Sequence, residues 1–144
     1  MANQGELQRY YALIERYKKQ LESLEQQYNY LNQAINDYRQ AKETVKKLGD
    51  KKEKKDMLLP IGGGTYINAT TEDPSKFLVD IGGGIVAEKK SEDTIRKIEQ
   101  RIEELKGHQK QLNNTMEQIQ KESDKIEKKA REMMYEERQA NQQT

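Results

Sequence analysis

LPIGGGTYI at residues 59–67 is echoed twenty residues later by VDIGGGIVA at residues 79–87. In each stretch a glycine triplet separates two runs of apolar, β-branched or aromatic residues, and glycine readily adopts the positive φ angles of tight turns. This internal duplication predicts two β-hairpins, with strands near residues 57–61, 65–70, 77–81 and 85–88. The segment TEDPS, residues 71–75, predicts the turn between them.

A heptad repeat precedes the hairpins. Ten large side chains alternate by three and four residues: Leu7, Tyr10, Ile14, Tyr17, Leu21, Leu24, Tyr28, Leu31, Ile35 and Tyr38. A repeat of 3.5 residues keeps one stripe of a helix facing a partner helix, so a coiled-coil helix is predicted over 6–48.

The end of this first helix is less regular. Strict spacing brings Lys42 into the seam, whereas Ala41, Val45 and Leu48 continue the apolar stripe only if one step is shortened, which would locally overwind the coil. Gly49 is expected to end the helix by turning into the left-handed region.

A second repeat follows the hairpins. Its seam positions are Ile95, Ile98, Ile102, Leu105, Gln109, Leu112, Met116, Ile119, Ser123, Ile126, Ala130 and Met133. Ser91 with Glu92 and Asp93 is typical of a helix N-terminus, so the returning helix is predicted over 91–138. Antiparallel pairing would place residues whose numbers sum to about 143 side by side, and would bring both chain termini to one tip. The predicted class is α+β, predominantly α: a long antiparallel two-helix coiled coil with a double β-hairpin at 57–90.

Composition limits the possible functions. The 144 residues suit a single domain, 1–144, and only 33% are apolar or aromatic, so a broad globular core is not expected. The 26 basic and 25 acidic residues nearly cancel, which argues against a nucleic-acid partner. Without cysteine and with one histidine, the chain offers no thiolate zinc site and no histidine cluster. We expect no membrane span, no export signal and a cytoplasmic location.

Candidate sites for ligand chemistry are few. Gly82, Gly84 and Ala87 fit the spacing of a dinucleotide-binding loop, but the residues that follow predict another strand rather than a helix, so glycines serving tight turns or bulges are the preferred interpretation. His108 is interpreted as a solvated surface residue, and no catalytic carboxylate pair is apparent. Neither an enzyme nor a cofactor is predicted.

The helix ends near the chain termini carry more apolar side chains than a two-helix seam can bury. Tyr11, Leu13, Met134 and Tyr135 are added there to the seam positions Tyr10, Ile14 and Met133. These seven residues are hereafter called the tip set. One interpretation is frayed helix ends or a wider local core. The other is an exposed, adaptable apolar patch, for which methionine and tyrosine are well suited.

The order of these elements resembles the α class of the prefoldin family, most closely its archaeal form. The resemblance rests on LLPIGGGTYI at 58–67, LVDIGGGIVAEK at 78–89 and the helix start SEDTI at 91–95. It implies a hexamer of two α and four β subunits, whose hairpins join in intersubunit β-barrels. It also implies that non-native proteins bind at the coiled-coil tips without ATP and pass to a group II chaperonin.

A small β segment also calls for a partner on physical grounds, because it cannot form a stable core alone and its strand edges need covering. The predicted assembly set is Ile61, Tyr66, Phe77, Val79, Ile81, Ile85 and Val86. Two functions remain open: a holdase chaperone subunit, or a passive coiled-coil scaffold or spacer. The tip set favours the first, because a spacer has no use for exposed apolar side chains at its end.

Overall fold

The computed structural model of the protein describes residues 2–50 and 53–143. Helix α1 spans Ala2–Gly49 and helix α2 spans Ser91–Gln142. Between them lie β1 (Asp56–Gly62), β2 (Thr65–Thr70), β3 (Lys76–Gly82) and β4 (Ile85–Lys90). The predicted order of helix, two hairpins and helix is confirmed, and both helices extend a few residues beyond their predicted ends near the termini.

Contacts divide the chain into two units. One unit consists of the residues up to Asn32 together with the residues from Lys106 onwards. The other runs from Gln33 to Leu105. In the first unit α1 and α2 run antiparallel, because Tyr11 contacts Met134 and Asn32 contacts Gln109. The seam residues of this unit are mostly half-buried, as expected where only one neighbouring helix covers them.

The unit from Gln33 to Leu105 holds most of the buried apolar side chains of the described residues. They are Ile35, Val45, Ile98, Ile102 and Leu105, all predicted seam positions. Here too the two helices run antiparallel, since Lys42 of α1 pairs with Glu99 of α2 at 2.8 Å.

Lys42 occupies the seam, and the predicted discontinuity after Tyr38 is wrong. Ala41 is exposed, whereas Lys42 is partly buried and its Nζ reaches the carboxylate of Glu99. The methylene stem of a lysine can lie along an apolar seam while its ammonium group pairs at the edge, so the strict spacing continues through this position.

Gly49 ends α1 as predicted, but for a different reason. It is not among the glycines with a positive φ angle. Instead, a Cβ atom at this position would lie 2.7 Å from Cβ of Ser91 and 2.9 Å from its Oγ. The glycine therefore permits the close approach of the end of α1 to the start of α2.

The glycine triplets form the hairpin turns, which confirms the turn interpretation. In the first hairpin Gly63 and Gly64 have φ angles of 58° and 72°, the signs required by a type I′ turn. In each hairpin the register of strand pairing shifts just before the turn. Ile61 and Ile81 therefore have no residue directly opposite them on the neighbouring strand. In the second hairpin the Asp80 carboxylate accepts the Gly82 N–H at 2.8 Å.

The two hairpins are separate two-stranded antiparallel sheets. The turn between them is held by Asp73, whose carboxylate accepts the backbone N–H of Ser75 at 3.0 Å and its hydroxyl at 2.6 Å. These hydrogen bonds, the hydroxyl bond first, lower the pKa of Asp73. An isolated two-stranded hairpin is marginally stable in water, so each hairpin depends on packing against another element.

Candidate functional site

The tip set lies in the unit that joins the outer parts of α1 and α2. Tyr11 and Tyr135 are exposed, with 45% and 63% of their surface accessible. The remaining five residues are half-buried: Tyr10, Leu13, Ile14, Met133 and Met134. No tip residue is fully buried, so a substantial part of this apolar surface faces solvent.

Tyr11 and Met134 join the two helices within the tip set. The Tyr11 hydroxyl donates a hydrogen bond to the Met134 thioether sulfur at 2.8 Å. Both residues lie outside the predicted seam, so this contact widens the helix pair beyond a simple heptad stripe. Tyr11 and Met134 therefore partly fit the first interpretation of the tip set, in which the core between the two helices is locally wider.

Tyr135 is different, because its polar contact stays on its own helix. Gln139 donates to the Tyr135 hydroxyl at 2.8 Å, while the ring remains exposed in a shallow depression that Arg131, Glu132 and Glu136 also line. The patch is therefore apolar with a charged rim, an arrangement typical of protein interaction surfaces.

The assembly set predicted from the sequence lies on the two hairpins. Five of its residues are exposed: Ile61, Tyr66, Ile81, Ile85 and Val86. Phe77 and Val79 are half-buried. Four further exposed apolar residues escaped the prediction: Leu58, Leu59, Ile67 and Leu78. The sequence could have predicted their exposure. Consecutive residues of a strand lie on opposite faces, so a run of apolar residues places apolar side chains on both faces of the hairpin.

The first hairpin exposes apolar side chains on both faces. Pairing places Leu59 opposite Ile67 on one face and Pro60 opposite Tyr66 on the other. All four side chains are exposed. Side chains directly opposite each other lie on the same face of a sheet, so each face of this hairpin carries exposed apolar residues, although Asp56, Asn68 and Thr70 share the face of Pro60 and Tyr66. A hairpin with exposed apolar side chains on both faces requires covering from outside.

The second hairpin has two different faces. Leu78, which is 76% exposed, pairs with Glu88, and Val86 pairs with Asp80. On the other face Val79 and Ala87 pair and are both half-buried. The face of Leu78 and Val86 is therefore accessible, and Ile81 and Ile85 beside the turn are exposed as well, whereas Val79 and Ala87 are partly covered.

A cavity of about 400 Å³ adjoins the half-buried face. Val79, Ile98, Tyr38 and Arg101 are among its lining residues. Arg101 donates to Glu104 at 2.8 Å, and its pKa is raised by the hydrogen bond to the Tyr38 hydroxyl first and by Glu104 second. The guanidinium group is therefore already engaged by this chain's own side chains, and the half-buried Val79 borders a cavity that residues of both helices also line.

Other candidate positions supply no chemistry. His108 is exposed, as predicted, and a strand rather than a helix follows Gly84, so the dinucleotide interpretation of that loop is not supported. Over residues 2–50 and 53–143 there is no group of three or more His, Cys, Asp or Glu side chains suited to hold a metal ion. Among the described helices, none combines the length and apolarity that crossing a bilayer demands.

Comparison with known proteins points to one family. A family model described as "Prefoldin subunit" matches residues 17–136. The protein named prefoldin subunit alpha of Methanopyrus kandleri is 34% identical over 102 residues, covering 71% of this chain and 65% of that protein. Prefoldin subunit alpha 1 of Thermococcus kodakarensis is 30% identical over 69 residues, covering 48% of this chain and 47% of that protein. The chain thus spans less than two thirds of the length of these two relatives.

A solved structure has the same fold. The cryo-EM structure of filamentous PFD from Methanocaldococcus jannaschii superposes with a TM-score of 0.72 at 24% sequence identity. The match covers 82% of this chain and 98% of that chain.

Proposed function

Because the chain belongs to the prefoldin family, we propose that it is an α-class subunit of an ATP-independent holdase chaperone located in the cytoplasm. It assembles through its hairpins with β-class prefoldin subunits into a hexamer of two α and four β chains. The assembled complex holds non-native proteins at its coiled-coil tips and passes them to a group II chaperonin.

The observation that carries the proposal is the exposure of the hairpins. Nine large apolar side chains are exposed on two small, separate sheets: Leu58, Leu59, Ile61, Tyr66, Ile67, Leu78, Ile81, Ile85 and Val86. Burying such side chains contributes roughly 25 cal/mol per Å² of apolar surface removed from water. Closing the strand edges into intersubunit barrels would also satisfy their free backbone groups.

Client binding is assigned to the tip set. Non-native proteins expose irregular apolar surface, which a flexible methionine and an amphipathic tyrosine can fit in many ways. Each tip contact is weak alone. Linking six tips on one platform makes later contacts intramolecular and can raise the overall affinity by roughly 10²–10⁴-fold when the client spans several tips. This mechanism needs no nucleotide and no catalytic step.

Mixing the chain with a candidate β-class prefoldin subunit tests the assembly. We expect a heterohexamer of two α and four β chains by size-exclusion chromatography with light scattering. Two chains that elute separately across the tested temperatures and ratios would contradict this assembly for that partner.

Substitution at the tip tests client binding. Tyr11, Leu13, Met134 and Tyr135 are changed together to Ser, and the assembled hexamer is assayed for suppression of aggregation of a chemically unfolded protein. The matched control is Tyr30→Ser, which removes an exposed tyrosine of α1 that lies outside the tip set. We expect the tip variant, but not the control, to protect less well. The remaining candidate, a passive spacer, predicts equal behaviour of both variants and the parent.

Transfer to a chaperonin is tested separately. Adding a group II chaperonin with ATP to the preformed complex of hexamer and client should raise the yield of refolded client above that with ATP alone. An unchanged yield would remove the transfer step and leave a holdase.

A further inference from the structure

The exposed face of the second hairpin combines apolar and charged side chains. Leu78 lies opposite Glu88 and Asp80 lies opposite Val86, so these four residues share one face of the sheet. All four are exposed, and Leu78 has the largest accessible fraction, 76%, of the exposed large apolar side chains in the described chain. Each apolar side chain on this face therefore has a carboxylate directly opposite it.

Neither carboxylate is neutralised within the chain. Among the residues that the structure describes, no lysine, arginine or histidine forms an ion pair with Asp80 or Glu88. The Asp80 carboxylate accepts the backbone N–H of Gly82, which is a neutral donor. The two negative charges are therefore stabilised mainly by water.

The open end of the second hairpin carries the opposite charge. Lys76 and Lys90 lie opposite each other there, on the same face as the two carboxylates. The ammonium group of Lys76 lies 4.0 Å from the carboxylate of Asp73, in the turn that precedes the strand. The face is therefore basic at its open end and acidic around its two exposed apolar side chains.

The first hairpin has a face without any ionisable side chain. On this face Met57 pairs with Ala69 and Leu59 pairs with Ile67. A partner can cover these side chains without removing a charge from water. The two hairpins therefore impose different requirements on the surface that covers them.

Covering Leu78 or Val86 also removes a carboxylate from water, because each lies opposite one. Burial of an apolar side chain is favourable, but an unpaired charge taken out of water costs more free energy than one such side chain contributes. A purely apolar partner is therefore rejected. A partner with lysine or arginine beside its apolar residues is accepted, because its cations pair with the carboxylates.

We propose that the face formed by Leu78, Asp80, Val86 and Glu88, hereafter the acidic face, selects the assembly partner by charge. Its occupant is a surface of a β-class prefoldin subunit on which lysine or arginine side chains flank apolar ones. The cations donate to the two carboxylates while the apolar side chains cover Leu78 and Val86. The first hairpin adds affinity without this discrimination. This inference rests on the assembly proposed above and specifies the chemistry of its partner.

Neutralising the two carboxylates tests the selection. Asp80→Asn keeps a side-chain oxygen for the Gly82 N–H, and Glu88→Gln keeps the length of the side chain, so the hairpin should fold as in the parent. The matched control changes Glu53 and Glu72 to Gln, which removes two exposed acids that lie outside the hairpin strands. Both double variants have the same net charge, and circular dichroism verifies that both are folded.

Each chain is titrated into a β-class subunit that assembles with the parent, and the dissociation constant is measured at low and high sodium chloride. We expect the doubly neutralised acidic face to bind at least about tenfold more weakly at low salt, because the partner's cations lose their carboxylates. Its affinity should also depend less on salt. The control should match the parent in both respects. Equal affinity and equal salt dependence of the two double variants would overturn the selection by charge.

A charge reversal tests the sign of the partner's charge. The Glu88 side chain makes no hydrogen bond within the described chain, so Glu88→Gln and Glu88→Lys change its charge without breaking an internal contact. Glu88→Lys should weaken assembly more than Glu88→Gln, because it adds repulsion to the loss of the pair. A complex that is stronger with Glu88→Lys would indicate an acidic partner surface and overturn the proposal.

The two proposals fail in different ways. If the parent forms no complex with β-class subunits, the proposed assembly is wrong, and the partner selection that depends on it is wrong as well. If the parent forms the complex and the neutralised variant behaves like the control, the assembly stands and only the selection by charge is wrong.

Discussion

The side-chain amide of Gln109 donates a hydrogen bond of 2.9 Å to the side-chain oxygen of Asn32, joining α2 to α1 at a polar position of the seam. Gln109 is only 8% exposed. A buried amide without a partner costs free energy, whereas one that is paired across two helices favours a single register. This pair explains how an interruption of the heptad pattern is accommodated.

Asn32→Ala should lower the free energy of unfolding by about 1 kcal/mol, because it leaves the buried Gln109 amide without its acceptor. The control is Asn29→Ala, an exposed asparagine one turn earlier on α1. Urea unfolding followed by circular dichroism measures both. In the Gln109→Leu background the cost of Asn32→Ala should largely disappear, and an unchanged cost there would show that the pair does not act as one unit.

Two glycine-to-alanine substitutions should change the free energy of unfolding in opposite directions. Gly107→Ala places a Cβ in open space within α2 and should stabilise the chain by about 0.5–1 kcal/mol through helix propensity. Gly49→Ala should instead destabilise it by about 1–3 kcal/mol, because the new Cβ overlaps Ser91. Thermal unfolding of the two variants gives the comparison.

A second change checks the cause of the Gly49→Ala effect. Because the overlap involves Cβ of Ser91 as well as its hydroxyl, Ser91→Gly should relieve the strain more than Ser91→Ala does. Equal behaviour of the two double variants would mean that the close approach is not what requires glycine at residue 49.

The pair between Lys42 and Glu99 predicts a pH dependence. The hydrogen bond from Lys42 lowers the pKa of Glu99 below its usual value of 4.5. The pair therefore contributes its full stability above the ordinary carboxyl pKa, and loses it as the pH falls through the lowered folded value. In the Glu99→Gln variant the free energy of unfolding should therefore depend less on pH in this acidic range.

The matched control for this charge pair is Glu117→Gln, which removes an exposed carboxylate of the same helix. Unfolding by urea at a series of pH values below 5, with and without added salt, compares the two. The two variants should differ less in the pH dependence of their free energy of unfolding at high salt, because half of the Glu99 side chain is accessible and the ion pair is screened. Identical profiles for both variants would contradict a stabilising ion pair.

Neighbouring residues of β3 should separate assembly from folding. Leu78 is exposed, so Leu78→Asp should change the stability of the isolated chain by no more than about 0.5 kcal/mol while preventing hexamer formation. Val79 is half-buried and lines the cavity beside Ile98, so Val79→Asp should destabilise the chain itself.

Size-exclusion chromatography with a β-class subunit, combined with unfolding of the chain alone, distinguishes these two substitutions. A Leu78→Asp chain that still enters a hexamer would place the contact surface on another face of the hairpins. Val79→Asp is the poorer probe of assembly, because its effect on the hexamer would include loss of the folded chain.

Local patterns were sufficient to predict the elements of this protein. The heptad spacing identifies the seam because a helix repeats its facing stripe regardless of what lies opposite. The glycine triplets identify the hairpin turns because positive φ angles at Gly63 and Gly64 are a property of the local backbone. The antiparallel direction of the two helices also followed from the sequence, because the short β segment between two seams of similar length brings their inner ends together.

The tertiary structure decided which individual residues meet a particular partner distant in sequence. The seam accommodates Lys42 because its ammonium group pairs with Glu99, and Gly49 is required because Ser91 comes close to it. Leu78 and Val79 are both apolar strand residues, yet Leu78 is exposed whereas Val79 is half-buried beside a cavity that Ile98 also lines. Periodicity reports which side chains share a face, but burial depends on what covers that face, and that contact forms only in the folded chain.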